Sequence, residues 1–367
     1  MIDANRVHRV TELMVQQGLK QIVVSATPSV YYLTGLWIEP HERMLALYLT
    51  DQGRMTLFAN EIFGVQSSDD LPVVNHKDGQ EPTQNLARTI QPGTLGIDKF
   101  LYSKFLISLM EARPDMKPVH GSDPVDQARK CKDKTEQATA RASSRINDQV
   151  MNEMIRSVRA GVQENELAAK VNRLFLERGA DSEGPQLACF GANCADPHHD
   201  GDATVIQPGD SVIFDIFTPI NRYWCDMTRT VFYGSVSPKQ REVYNLVRKA
   251  NEAAEAMAKP GVLLSELDRT ARDIITAGGY GPYFTHRLGH GCGLDCHEPP
   301  DVSGTSDVVI QPGMIFSVEP GIYIPGEFGV RIEDLVLITE TGCEVLNQYP
   351  KDLQVIPLDG LPSDGTR

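Results

Sequence analysis

Two aspartates and two glutamates, Asp215, Asp226, Glu319 and Glu333, occupy matching places in the second half of the chain. Asp215 and Glu319 each fall six residues after the glycine of an IQPG sequence, Ile206–Gly209 and Ile310–Gly313, and each is followed by a further acid, Asp226 and Glu333. Positions 215 and 226 are symmetric about Ile220–Asn221, and positions 319 and 333 about Gly326 in "YIPGEFG". If each segment is an antiparallel hairpin, the two acids of a copy face one another across the strands, with Cβ atoms about 5 Å apart. Carboxylates facing each other beside apolar runs such as "VIFDIF" and "FSVEP" repel unless something positive lies between them. Protonation could relieve one pair, but two pairs in related places argue for cations.

Oxygen donors joined by one imidazole suit a divalent ion of the Mn, Co, Fe or Zn kind. His290 is the natural fifth donor, because it opens the glycine-rich "HGCGLDCH", where missing side chains let the backbone pass close to a site. His297 has the opposite strand parity, so both histidines reach one site only if the chain bends or their roles differ. It is assigned as a non-ligand. His198, in "ADPHHDGDAT", holds roughly the comparable place in the first copy. Two histidines approaching a metal pair from the two halves could steady a tetrahedral intermediate, although a lone histidine is as readily a hydrogen-bonded structural residue. A structural zinc site on Cys292 and Cys296 is the competing reading, weakened by the lack of a second cysteine pair at finger-like spacing.

The elements that must position these residues come from the repeat itself. Gly161–Val162 precedes Glu166–Leu167, and Gly261–Val262 precedes Glu266–Leu267; each opens a helical segment that ends near a glycine, Gly179 or Gly279. Each helix leads to IQPG and a β-rich run, so the C-terminal part is expected to be two copies of one helix-and-hairpin unit. Residues 1 to about 120 alternate short apolar runs (Ile22–Ser25, Leu45–Leu49, Met55–Phe58, Val73–Val74, Leu95–Ile97) with helical patterns such as Phe100–Glu111, which predicts an α/β domain. Between them, residues 125–158 lack Gly and Pro and repeat apolar residues at Ile146, Val150, Met154 and Val158, which predicts one long helix at the domain junction. The division is therefore 1–124, 125–158 and 159–367.

Composition narrows the function. The 367 residues are 41% hydrophobic and 23% charged, ordinary for a soluble globular protein, and no stretch is apolar enough to span a bilayer. The first residues read as a folded helix with Val7, Val10, Leu13 and Met14 on one face, not as a secretion signal. A formal charge of −14 disfavours nucleic acid, and seven cysteines without a paired framework fit a reducing cytoplasm.

The set "FDIF…CDMTRT", "HRLGHGCGLDCHE", "SVEPGIY" and "VRIEDLVLIT" resembles the pita-bread metallopeptidases, the group of methionine aminopeptidase, aminopeptidase P, Xaa-Pro dipeptidase and creatinase. The stretch "SVYYLTGLW…HERMLALYL" is similar to the creatinase-type N-terminal domain. The resemblance implies a creatinase-type α/β domain followed by an α+β pita-bread domain with an internal pseudo-twofold repeat. It implies two divalent metals, Mn or Co ahead of Zn or Fe, on Asp215, Asp226, His290, Glu319 and Glu333. By the same resemblance His198 and His297 face the substrate, Tyr223 and Arg331 support the site, and Glu319 shuttles the proton. The implied reaction is cleavage before proline in Xaa-Pro dipeptides, with aminopeptidase P activity on longer peptides as the alternative and a catalytically silent binding protein as a third reading. Departures are Cys292 and Cys296, where the group usually has aliphatic residues, and Ile216–Phe217, where a glycine is common.

One further stretch, "WIEPHERML", crowds Glu39, His41, Glu42 and Arg43 around Pro40. A dipeptidase must recognise a free carboxylate, and the resemblance implies that the N-terminal domain of one subunit approaches the active site of its partner. His41 and Arg43 are therefore expected to cap the substrate site across a homodimer, with the Arg43 fork taking the carboxylate.

Overall fold

Alternating apolar runs and amphipathic segments fold, in the N-terminal unit, as a six-stranded sheet flanked by helices. The computed structural model describes residues 2–361 and divides into two units, Met1–Arg129 and Lys130–Arg367. In the first, β1 (Gln21–Val24), β2 (Ala46–Thr50), β3 (Met55–Asn60), β4 (Val73–His76), β5 (Gly93–Ile97) and β6 (Met116–His120) assemble in the order β4-β3-β2-β1-β5-β6. The first helix, α1 (Ala4–Gln16), starts where the Asp3 carboxylate accepts from the Asn5 amide, and it buries Val7, Val10 and Met14. The helices α2 (Thr27–Thr34), α3 (Thr83–Thr89) and α4 (Ser103–Ala112) complete the α/β pattern.

The single helix expected over 125–158 is two: α5 (Asp123–Lys130) and α6 (Lys134–Ile155). Asp133 stops the first from continuing by capping the second, accepting from the Glu136 amide while the Glu136 side chain accepts from the Asp133 amide. Cys131 meanwhile bridges to Met314 through the backbone.

The second unit holds α7 (Glu164–Glu177), β7 (Leu187–Phe190), β8 (Ser211–Ile220), β9 (Tyr223–Tyr233), α8 (Pro238–Met257), α9 (Leu264–Ala277), β10 (Gly289–Gly291), β11 (Glu298–Val302), β12 (Ile315–Val318), β13 (Gly321–Ile324), β14 (Phe328–Arg331), β15 (Asp334–Ile338), β16 (Cys343–Val345) and β17 (Val355–Ile356). One sheet runs β17-β9-β8-β7, another β11-β10-β12-β15-β16, and β13 pairs with β14. The repeat is visible bond by bond. The Ile206 amide donates to Val162 and the Ile310 amide to Val262; Gln163 bridges Val205 as Leu263 bridges Val309. Helices α6 and α7 bury Val150, Met154, Leu167 and Val171 against the first sheet. In the other copy α8 and α9 bury Val243, Val247, Leu267 and Ala271. Each buried Val, Leu or Met among them stabilises the fold by roughly 1.5–3 kcal/mol, and Ala271 by less. No helix among the described residues is long and apolar enough to cross a membrane.

Candidate metal centre

The two hairpins deliver the acids with different registers. In the second copy Glu319 and Glu333 lie opposite one another in the frame that pairs Val318 with Asp334 and Gly321 with Arg331, centred on Gly326 as expected. In the first copy the expectation is corrected. Asp215 pairs with Thr228 and Asp226 with Phe217, so the two aspartates are diagonal neighbours on one face. The turn is Asn221–Arg222, whose φ angles of 52° and 70° suit a tight two-residue hairpin and move its centre one residue along from Ile220–Asn221. Diagonal side chains still converge across a ladder.

The centre is closed where the hairpins meet. The Glu333 amide donates to the Thr228 carbonyl, Thr230 Oγ1 donates to the Arg331 carbonyl, and buried Arg229 donates to the Glu333 carbonyl and to Asp334 Oδ1. The Glu319 amide donates to the Leu288 carbonyl, just before His290.

Each acid has one oxygen held by a protein donor. Arg331 Nη2 donates to Asp215 Oδ2 at 2.7 Å, Thr228 Oγ1 to Glu333 Oε2 at 2.7 Å, Ser317 Oγ to Glu319 Oε1 at 3.0 Å, and Cys296 Sγ to Asp226 Oδ2 at 3.4 Å. Asp215 Oδ1 and Asp226 Oδ1 are buried without a hydrogen-bond partner. His290 Nδ1–H faces the Gly291 carbonyl at 3.2 Å, which leaves Nε2 directed at Glu319 (3.3 Å), Asp226 (3.7 Å) and Glu333 (4.0 Å). One donor atom each from Asp226, His290 and Glu333 lies within 4.8 Å of the others.

Burial sets the protonation. It pushes Asp226 well above the usual carboxylate range, helped by the charges of Asp215 and Glu319, and does the same to Glu333 beside Asp226. Burial raises Glu319 to about 7 against the pull of Arg331. Burial and the neighbouring His297 lower His290 to about 3, so its imidazole is neutral and its Nε2 lone pair is free to coordinate. Arg331 is spent on Asp215, Thr228 and Tyr323. Two orphaned carboxylate oxygens, crowded acids and a neutral imidazole are the donor chemistry of a divalent-metal centre.

The acids, His290 and Arg331 line a cavity of about 290 Å³ together with His198, His286, Arg287, Cys296 and His297. The chain does bend between His290 and His297: β10 ends at Gly291, a loop follows, and the two rings meet edge to face 4.0 Å apart. His198 is exposed at the cavity edge. The zinc reading of the cysteines gains no support, since Cys292 Sγ turns to the Trp224 carbonyl and Cys296 to Asp226.

Two expectations are corrected. Tyr223 points to the opposite face of β9 from Asp226, its hydroxyl donating to Glu136 at 2.8 Å. The tyrosine at the site is Tyr323, whose hydroxyl accepts from Arg331 Nη1 at 2.9 Å and donates to His286 Nε2 at 2.8 Å. His286 is set up as that acceptor because Nδ1–H faces the Arg287 carbonyl. The signal was available: Tyr323 is one diagonal step from Arg331 in a hairpin already centred on Gly326. Arg43, for its part, offers no free fork. Its Nε and Nη2 both bond the Asp78 carboxylate at 2.9 Å, and Nη1 lies 2.8 Å from Glu42. His41 is exposed in a turn with φ 51°. Sequence reasoning also passed over Arg287, a cavity cation paired through Nη1 with Asp301.

Comparison with known proteins identifies the family. Residues 138–340 match "Metallopeptidase family M24" and residues 6–131 match "Creatinase/Prolidase N-terminal domain". The chain belongs to metallopeptidase family M24, with the pita-bread fold. Among its relatives, the Xaa-Pro dipeptidase of Lactobacillus delbrueckii subsp. lactis is 34% identical over 355 residues, 94% of this chain and 96% of that one. The prolidase structures from Thermococcus sibiricus (TM-score 0.91, 31% identity, 97% of this chain and 100% of that one) and Pyrococcus furiosus (TM-score 0.83, 33% identity, 92% and 99%) share the fold.

Proposed function

We propose that this protein is a dinuclear-metal dipeptidase that cleaves the bond before proline in Xaa-Pro dipeptides. The observation that carries the reading is the complete donor set, with two buried carboxylate oxygens lacking any protein partner beside a neutral imidazole. Asp215, Asp226, His290, Glu319 and Glu333 hold two divalent ions, Mn or Co ahead of Zn or Fe. Such ions supply Lewis acidity and lower the pKa of water so that hydroxide is available at neutral pH.

The chain's own groups do the rest. Glu319 takes the proton and passes it to the leaving proline nitrogen. His198 and His297 steady the oxyanion from the two sides of the cavity. Arg331, held by Tyr323, fixes Asp215. With Arg43 engaged by Asp78, Arg287 at the cavity wall takes the substrate's free carboxylate. His41 remains the residue through which a homodimer's N-terminal unit would cap the site. Seven free cysteines support a cytoplasmic location.

A cavity of about 290 Å³ stands at the small end of ligand sites, which favours a dipeptide over a longer peptide. The intact donor set favours an enzyme over a silent binding protein. The test is hydrolysis of Xaa-Pro against Xaa-Pro-Xaa peptides with Mn, Co and Zn. Expected is a dipeptide kcat/KM at least about tenfold the higher, a difference of about 1.4 kcal/mol. Preference for the tripeptide assigns aminopeptidase P activity, and no cleavage of either assigns a silent protein.

A further inference from the structure

His198 carries part of the proposed chemistry, yet it is exposed, and its own amide bonds only the Asp196 side chain of its loop. Its neighbours are fixed instead. On one side the Pro197 carbonyl lies 3.5 Å from Arg331 Nη1. On the other, His199 Nε2 lies 3.0 Å from Glu164 Oε2.

Glu164 is built to hold this loop. It sits in the first turn of α7, its side chain is fully buried, and its carboxylate also accepts from the Phe190 amide (2.6 Å), Asn193 Nδ2 (3.1 and 3.2 Å) and the Asp202 amide (3.2 Å). Its own amide donates to the Thr204 carbonyl. One residue, through its carboxylate and its amide, thus ties together both ends and the middle of the segment 190–204. Gly201 lets the chain pass close, since a Cβ there would lie 3.3 Å from Glu164 Cβ. Glu164, His199 and Asp202 place ligand atoms close enough for a cation. The oxygens of Glu164 are already saturated by N–H donors, however, which suits an anchor and not a metal site.

The other copy repeats the device with different residues. His297 is followed by Glu298, whose buried carboxylate accepts from buried Lys132 Nζ at 2.6 Å and from the Asp295 amide at 3.3 Å. In each half the residue immediately after the cavity histidine is pinned by a buried complementary group.

We propose that the Glu164–His199 contact is a positioning element of the active site, holding His198 at the cavity edge. This rests on the reading of His198 given above. The test compares His199→Leu, which removes the donor, with His199→Gln, which keeps one, each in the parent and in a His198→Ala background. His199→Leu is expected to lower kcat on an Xaa-Pro dipeptide by about ten- to a hundredfold, the scale of a slight misplacement of a catalytic group. KM should move far less, and bound metal measured by mass spectrometry should match the parent. His199→Gln should recover most of the loss, and in the His198→Ala background His199→Leu should cost nothing further, because its effect passes through His198. The inference is overturned if the two losses multiply, if Gln fails to rescue, if metal is lost, or if His199→Leu turns over like the parent while His198→Ala is slow. Parental turnover by His198→Ala would overturn the reading of His198 itself, and this inference with it.

Discussion

At the residue scale the site is a matter of which oxygens the protein satisfies and which it leaves. Thr228 Oγ1 donates to Glu333 Oε2 and accepts from Arg331 Nε, so a single hydroxyl orients one acid and the arginine that holds another. Thr228→Val should weaken Mn binding by about ten- to a hundredfold, measured by titrating the ion into chelator-stripped protein; unchanged affinity would mean that the hydroxyl orients nothing. His297→Ala should lower kcat by about a hundredfold or more while bound metal stays at the parental level, and loss of metal instead would make His297 a ligand. Arg287→Ala should raise KM for an Xaa-Pro dipeptide much more than for an Xaa-Pro-Xaa peptide, because only in the dipeptide does the proline bear the carboxylate. Equal effects on both would remove Arg287 from that role. That the five candidate donors share one cavity was legible because a repeat marked the acids twice and glycine-rich surroundings marked His290. Tyr223 was misplaced because its assignment came by resemblance, whereas the pleat sends it away from Asp226 toward Glu136.

At the scale of elements, close backbone approach decides where hairpins sit. Gly321 stands opposite Arg331, and a Cβ there would lie 2.3 Å from the Tyr323 hydroxyl, so its absence lets Tyr323 reach the arginine. Gly329 brings β14 against the turn at 191–195, where a Cβ would come within 1.8 Å of the Cys194 carbonyl. Gly329→Ala should therefore cost about 1–3 kcal/mol of stability through overpacking, read as a lowered denaturation midpoint; a parental midpoint would show that the strand can shift freely. Elements of strong period, such as α1, α7 and α9, were readable from spacing. The break between α5 and α6 was less so, because its cause includes the long-range bridge from Cys131 to Met314. The one-residue shift of the β8–β9 turn was hidden for a different reason. Only the left-handed backbone at Asn221 and Arg222 distinguishes its true centre from the adjacent one.

At the scale of the whole molecule, the repeat concentrates buried acid at one place, and the apo protein's stability must reflect it. Glu319 rises from 4.5 to about 7 on folding, so the folded state binds more protons than the unfolded one through that interval. Its stabilising contribution is complete below pH 4.5 and is lost as pH rises through 7. Glu255, raised to about 7 by burial and Asp334, has the same sign but lies outside the metal centre. His290, lowered to about 3, and His286, lowered to about 4, act with the opposite sign up to their ordinary value of 6.5. Chelator-stripped protein should therefore melt at a lower temperature as pH rises above about 6.5, and divalent metal should remove the part of that fall due to Glu319. A melting temperature that climbs over the same window would contradict the burial of these acids. The most direct test of the central claim is the rate of Xaa-Pro dipeptide hydrolysis by chelator-stripped, dialysed protein as Mn is added back. Turnover should be negligible at the start and rise until it saturates at two ions bound per chain. Full turnover before any ion is added would contradict it.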